Sequence, residues 1–147
     1  MKVIERKKKR WYYIKKYYRF SNFFLKEGTV IEIIYSDNRV RKLCTDFVKA
    51  KKDLPIDVAG KLHALINFII SSENLYDIAK VHRYHFHSLQ GKRAGQYAID
   101  ISGRKSGYRL IIIPYNPEID LSSEKDINVI YRTTEVIVVL EVSNHYE

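Results

Sequence analysis

Hydrophobic residues follow a helical spacing before residue 84 and a spacing of two after it. In the first part, one apolar set recurs at i, i+3, i+4, i+7 and i+8, the spacing of one helix face. These residues are Val40, Leu43, Cys44, Phe47 and Val48. The Leu54-Pro55 pair then breaks the helix, since the residue before proline avoids helical geometry. A second helix face follows, formed by Val58, Leu62, Leu65, Ile66 and Ile69. The pattern predicts a helical hairpin, with residues 75–81 as a further short helix.

Strand-like segments lie on both sides of this helical part. Residues 30–35, 97–101, 108–113 and 136–142 are rich in β-branched and aromatic side chains. Turns and polar loops between the later segments favour antiparallel pairing. We therefore predict an α+β fold, in which the N-terminal helical hairpin packs on one face of a small antiparallel sheet. Residues 114–133 are predicted to form a long polar connection in which residues 127–131 extend a strand.

The formal net charge of +9 is unevenly distributed. Residues 1–28 hold ten basic and two acidic residues, a net charge of +8, whereas the rest holds 16 basic and 15 acidic residues. The excess charge therefore cannot alone support nucleic-acid binding by the rest of the chain. We divide the chain into a basic aromatic extension, residues 1–28, and a domain of residues 29–147. Because no periodic core residue lies in the extension, we expect its deletion to leave the fold intact.

Composition also restricts the cellular location. Cys44 is the only cysteine, so no disulfide can form within the chain, as is typical of a reducing compartment. No stretch approaches the ~20 apolar residues of a membrane span. We predict a cytoplasmic protein without a membrane span.

Histidines mark the candidate chemistry. His82, His85 and His87 lie within six residues of one another. They can be idle surface residues. They can also bind a metal together with His145, although no carboxylate or cysteine completes a standard ligand spacing. The third interpretation is acid–base chemistry on RNA without metal or other cofactor. There a base activates the 2′-hydroxyl, an acid protonates the leaving oxygen, and Arg or Lys side chains stabilise the phosphate.

Two segments resemble the RelE/HigB toxins of bacterial toxin–antitoxin pairs. Residues 87–103 read His-Ser-Leu-Gln-Gly-Lys-Arg-Ala-Gly-Gln-Tyr-Ala-Ile-Asp-Ile-Ser-Gly, and residues 108–111 read Tyr-Arg-Leu-Ile. This order is similar to the central signature of the family. Residues 136–146, ending in Ser-Asn-His-Tyr, resemble its last strand and its Asp-Tyr-His-like tail. Residues 31–35, residues 42–46 and Leu54-Pro55 also fit the killer-protein branch.

The resemblance implies a ribosome-dependent endoribonuclease that cuts mRNA and is neutralised by an antitoxin, expected to be a small helix-turn-helix protein. It assigns catalytic roles to His87, Arg109, His145 and Tyr146. Contacts to RNA are expected from Lys92, Arg93, Arg104 and His85. Gln90 stands where the family usually has lysine, and Lys92 can substitute for it. The ending Asn-His-Tyr also departs from the family pattern.

Two other functions stay open. A toxin-fold protein can inhibit a target such as gyrase by binding, without nuclease activity, and the altered C-terminal ending favours this alternative. A regulatory RNA-binding module that uses the basic extension is the third possibility. For Arg109, a structural ion pair under the helices competes with a phosphate contact. For Tyr97 and Tyr108, packing is favoured over base stacking.

Overall fold

A computed structural model describes residues 30–144 of the chain. Its centre is a five-stranded sheet in the order β1-β5-β4-β3-β2. The strands are β1 (Glu32–Tyr35), β2 (His87–Ser88), β3 (Tyr97–Asp100), β4 (Tyr108–Tyr115) and β5 (Val136–Asn144). Strands β2 to β5 pair antiparallel, as predicted, but β1 pairs parallel with β5. The sheet is therefore mixed, because the last strand of the chain returns to lie beside the first.

The described part of the chain contains five α-helices. They are α1 (Asn38–Thr45), α2 (Phe47–Asp53), α3 (Ile56–Ser71), α4 (Leu75–Ala79) and α5 (Ile127–Thr133). Together with the sheet they are consistent with the predicted α+β class. None of the described helices is long and apolar enough to cross a membrane.

Two predicted elements differ from the observed ones because aspartate side chains cap helices. The predicted first helix is two helices, α1 and α2, since the Asp46 carboxylate accepts a hydrogen bond from the backbone N–H of Lys49 and starts a new helix. Phe47 and Val48 are consequently 41% and 59% exposed rather than buried. The predicted strand at residues 127–131 is helix α5, whose first turn is capped by Asp126.

The main core lies between the helices and one face of the sheet, which we call the helix-covered face. Its strand residues are Ile99, Leu110, Ile112, Ile137 and Val139. As predicted, the apolar side of α3 is buried against this core, with Leu62, Leu65 and Ile69 fully inaccessible to solvent. Tyr97 belongs to the same core and stacks on Phe86 with ring centroids 5.1 Å apart, so packing explains this tyrosine.

Side chains that alternate with those residues point to the opposite side of the sheet, which we call the second face. It has an apolar part and a polar part. The apolar part comprises Ile34, Ile111, Ile113, Val136 and Val138, and the polar part comprises His87, Asp100, Arg109, Glu141 and Ser143. A register shift beside Ile111 inserts Leu140 into β5, and Leu140 packs on the apolar part. The polar part is the candidate site.

Candidate active site

Strand pairing brings the polar residues of the second face together. Asp100 on β3 lies opposite Arg109 on β4, and Arg109 lies opposite Ser143 on β5. His87 on β2 lies opposite Ala98, which is two residues before Asp100 on the same strand. Residues directly opposite each other share a face, as do residues two apart on one strand. His87 and Arg109, which are 22 positions apart in the sequence, therefore face the same surface.

A buried carboxylate lies at the centre of this group. The side chain of Asp100 is only 3% exposed. Its Oδ2 lies 3.7 Å from Nδ1 of His85, and its Oδ1 lies 3.7 Å from Nε of Arg109. Both distances exceed those of a good hydrogen bond, and Oδ2 has no hydrogen-bond partner. Charge attraction therefore holds Arg109 beside Asp100, since a buried carboxylate is costly unless a cation compensates it.

The ring of His87 is fixed by a backbone contact. Its Nδ1 lies 2.7 Å from the carbonyl oxygen of His85. A carbonyl can only accept a hydrogen bond, so Nδ1 carries the proton and Nε2 of the neutral ring keeps a free lone pair. The backbone of His85 has a φ of 40°, a left-handed conformation that is costly for a residue other than glycine and is concentrated at functional sites. This strained turn presents the carbonyl that orients His87.

His85 is held in its uncharged form. Its ring stacks at a tilt on that of His87, with centroids 4.4 Å apart. Burial lowers the pKa of His85 below its usual value, and the positive charge of Arg104 lowers this pKa further. Asp100 opposes the shift without cancelling it. At neutral pH the His85 ring is therefore largely neutral, and it adds little positive charge of its own to the site.

The other basic residues that were predicted to contact RNA differ in how free their side chains are to bind a phosphate. Arg93 donates to the Glu141 carboxylate at 2.8 Å, so part of its hydrogen-bonding capacity is already used. Lys92 is exposed in the short 3-10 turn Gly91–Arg93, and Arg104 is exposed in the turn Arg104–Ser106. Of these three, Arg104 is close enough to His85 to act on its charge. Arg104 and Arg109 therefore supply positive charge beside the ring of His85.

Two of the predicted catalytic residues, His145 and Tyr146, lie outside the described residues. Strand β5 is described as far as Asn144, which pairs with Tyr108, and Ser143 lies opposite Arg109. The side chain of His82 is exposed in the 3-10 turn His82–Tyr84, and the backbone carbonyl of His82 accepts a hydrogen bond of 3.1 Å from the backbone N–H of His85.

Asp100 is the functional candidate that sequence reasoning missed. It is the last residue of β3, a strand whose four residues are all buried. A charged residue inside a buried strand requires compensating partners, and this is a signal that the sequence offers. Asp100 also changes the interpretation of Arg109. Arg109 does form an ion pair, with Asp100, but this pair lies on the second face of the sheet and not under the helices.

Comparisons with known proteins do not assign this site. No protein-family model matches the chain, and no curated protein sequence matches it. Within residues 30–144, no group of three or more His, Cys, Asp or Glu side chains is placed to hold a metal ion.

Proposed function

We propose that this protein is the toxin of a toxin–antitoxin module, a RelE/HigB-like endoribonuclease that cleaves mRNA on the ribosome. The observation that carries the proposal is the orientation of His87. Its Nδ1 is bonded to the carbonyl of His85, which leaves Nε2 as a base on the face that also presents Arg109. A general base beside a cation is what attack by a 2′-hydroxyl on its own phosphodiester requires.

The proposed reaction needs no metal ion and no organic cofactor. Nε2 of His87 takes the proton of the 2′-hydroxyl, and O2′ attacks the adjacent phosphorus. The bond from phosphorus to the 5′-oxygen of the next nucleotide breaks, and that oxygen receives a proton from an acid. By the resemblance, His145 or Tyr146 supplies this proton. The products are a 2′,3′-cyclic phosphate and a free 5′-hydroxyl.

Arg109 would stabilise the charge that develops on the phosphate. Asp100 holds Arg109 from one side only, through Nε, and the side chain of Arg109 is 25% exposed. The two terminal nitrogens of a guanidinium carry further donors suited to a phosphate. Arg104, Lys92 and His85 would contact neighbouring parts of the RNA backbone. Cleavage of translated mRNA places the protein in the cytoplasm, and we expect an antitoxin to cover the same surface.

One observation favours the alternative, inhibition by binding without cleavage. Arg93 and Arg109 each lie beside a carboxylate of the same chain, Glu141 and Asp100 respectively. If these pairs are purely structural, the second face is a recognition surface and not a catalytic one. The two functions predict different fates for the mRNA, so one assay separates them.

The test is a purified translation reaction programmed with a defined mRNA. We expect the full chain to cleave the mRNA only while it is translated. The variant His87→Ala should slow cleavage ~10²–10⁴-fold through loss of the base. Arg109→Ala should slow it by roughly 10²–10³-fold through loss of charge stabilisation. His82→Ala is the matched control, because it removes only an exposed imidazole and keeps the backbone carbonyl that accepts from His85, and it should cleave like the wild type.

Circular dichroism would establish that each variant is folded. Folded His87→Ala and Arg109→Ala proteins that cleave at the wild-type rate would overturn the proposed mechanism. Translation that stops while the mRNA stays intact would overturn the nuclease function and favour inhibition by binding.

A further inference from the structure

Helix α3 has an exposed side that is poor in charge. Its last ten residues, 62–71, contain no Asp, Glu, Lys or Arg. The solvent side of a surface helix carries charged or polar residues, whereas a helix that is apolar on most of its circumference is covered on more than one side. Ile56 and Ile70 are nevertheless 70% and 50% exposed. The core therefore covers one side of α3 and leaves a second apolar side in contact with water.

The residues of this second side follow the spacing of a coiled coil. They recur at intervals of four, three, four and three residues, the spacing that keeps one line of side chains facing a partner helix. We call this line the α3 seam, and it consists of Ile56, Gly60, His63, Asn67 and Ile70. His63 is half-buried and the other four residues are exposed. The spacing therefore indicates that the surface fits another helix.

Phe47 on α2 extends the apolar surface beside the middle of the seam. Its ring lies edge-on to the ring of His63, with centroids 5.4 Å apart, and Nζ of Lys51 lies 5.1 Å from the centroid of the Phe47 ring. Nε2 of His63 in turn donates to the carbonyl oxygen of Leu43 at 3.0 Å. These contacts hold Phe47 in place although it is 41% exposed. Aromatic side chains fixed in this way are typical anchors of protein interfaces.

The charge around the seam is positive. Residues 38–61 hold seven basic and three acidic residues, a net charge of +4, whereas the other described residues hold nine basic and eleven acidic residues, a net charge of −2. Lys49 pairs with Asp53 at 3.2 Å. Lys51 and Lys52 are exposed and have no acidic partner in the described part of the chain. A second copy of this chain would bring like charges together on the seam, so the charge favours an acidic partner.

We propose that the α3 seam, together with Phe47, is a docking surface for an acidic amphipathic helix of a partner protein. Apolar side chains of that helix contact Ile56, Phe47 and Ile70, and its carboxylates pair with Lys51 and Lys52. The 16 residues of α3 span about 24 Å, so about four turns of a partner helix fit along it. Because α3 packs on the helix-covered face, the partner leaves the candidate site on the second face open. The docking surface is independent of the proposed function.

Two labelled synthetic helices of the length of α3 test this surface in the full chain. The acidic probe has Leu at the seam spacing and Ala and Glu at its other positions, and the basic probe has Lys in place of Glu. In fluorescence anisotropy at physiological salt, we expect the acidic probe to bind at least about tenfold more tightly than the basic probe. The double variant Lys51→Glu, Lys52→Glu should remove this preference. No binding of the acidic probe, equal binding of both probes, or an unchanged preference in the double variant would overturn the proposal.

Two matched variants separate docking on the seam from attraction by charge alone. Ile70→Arg and Ile119→Arg each replace an exposed isoleucine and add one positive charge. Ile70 lies in the seam, whereas Ile119 is 39% exposed in the loop between β4 and α5. Ile70→Arg should weaken binding of the acidic probe at least about tenfold, and Ile119→Arg should not weaken it. Ile56→Arg repeats the first substitution at the most exposed seam residue, and circular dichroism checks that each variant is folded. Folded seam variants that bind the acidic probe as tightly as the wild type would overturn the proposal.

Other occupants of the surface give different results. A dimer of the full chain in sedimentation that Ile70→Arg dissociates would assign the seam to a second copy. Displacement of the bound acidic probe by an equal concentration of a short RNA would assign the seam to nucleic acid. Either result would overturn the proposal.

Discussion

The two faces of the sheet differ in the polarity of their side chains. The helix-covered face is apolar along its length and packs against one continuous core. The second face is apolar at Ile34 of β1, at the end of β4 and at the start of β5, and it is polar at the end of β5, at Arg109 of β4 and toward β2 and β3. The first face provides stability. The second combines a buried strip with a cluster of ionisable side chains, so fold and candidate chemistry share one surface.

The difference between apolar and polar positions on β3, β4 and β5 indicates where the candidate site lies in this sheet. Where β4 and β5 are apolar at every position, both faces are occupied by packing. Where a single polar residue interrupts such a strand, as Asp100 and Arg109 do, packing does not explain it. On β4, the apolar part of the second face ends at Ile111, and the polar part begins at Arg109.

The largest effect on stability should come from paired substitutions on the two faces. Ile112 and Ile113 are adjacent on β4, point to opposite faces, and are 0% and 3% exposed. Ile112→Ala and Ile113→Ala should each lower the free energy of unfolding by ~2–5 kcal/mol. Urea unfolding followed by circular dichroism measures both. A cost below ~1 kcal/mol for Ile113→Ala alone would show that the second face is uncovered.

A smaller effect concerns the pH dependence of stability. The pKa of His85 is lowered in the folded protein by burial and by Arg104, His87 and Arg109, with Asp100 opposing. The unfolded chain therefore binds this proton more readily, and stability is lost as pH falls below about 6.5. The free energy of unfolding of the wild type, relative to His85→Gln, should decline from neutral pH to about pH 5. A relative increase over this range would contradict the described environment of His85.

The smallest effect is expected at the Arg93–Glu141 pair. Both side chains are about half exposed, and such surface pairs contribute roughly 0–1 kcal/mol. Glu141→Gln should therefore change the free energy of unfolding by less than ~1 kcal/mol. The same variant frees Arg93 for phosphate and should tighten RNA binding at low salt, measured by fluorescence anisotropy. Weaker RNA binding by Glu141→Gln would place this pair outside the RNA-binding surface.

Parts of this contrast were predictable from the sequence. The buried side of α3 follows from an uninterrupted helical period. Strand β3 follows from a spacing of two in its apolar residues, and strands β4 and β5 follow from their β-branched runs. The division of α1 from α2 was not predicted, because apolar spacing continues across Asp46 while a hydrogen bond from Lys49 restarts the helix. The parallel pairing of β1 was also missed, since its partner lies about 100 residues away in the sequence and local patterns carry no such information.

The site was predicted as separate residues and not as an arrangement. His87 and Arg109 were singled out by residue type and by resemblance, but their common face depends on the register of three strands. The contact that orients His87 depends on a left-handed backbone at His85, which no spacing rule indicates. The sequence pattern does not indicate Asp100, because this residue completes an otherwise apolar strand.

If His87 acts as a base on a 2′-hydroxyl, the terminal groups of the cleaved RNA must carry the products of that attack. Purified full chain is added to a translation reaction, and the fragments are analysed for their terminal groups. We predict a 5′-hydroxyl on the downstream fragment and a 2′,3′-cyclic phosphate on the upstream fragment, both formed ~10²–10⁴-fold more slowly with His87→Ala and at the wild-type rate with His82→Ala. Downstream fragments that carry a 5′-phosphate would contradict the account, because water and not the 2′-hydroxyl would then be the nucleophile.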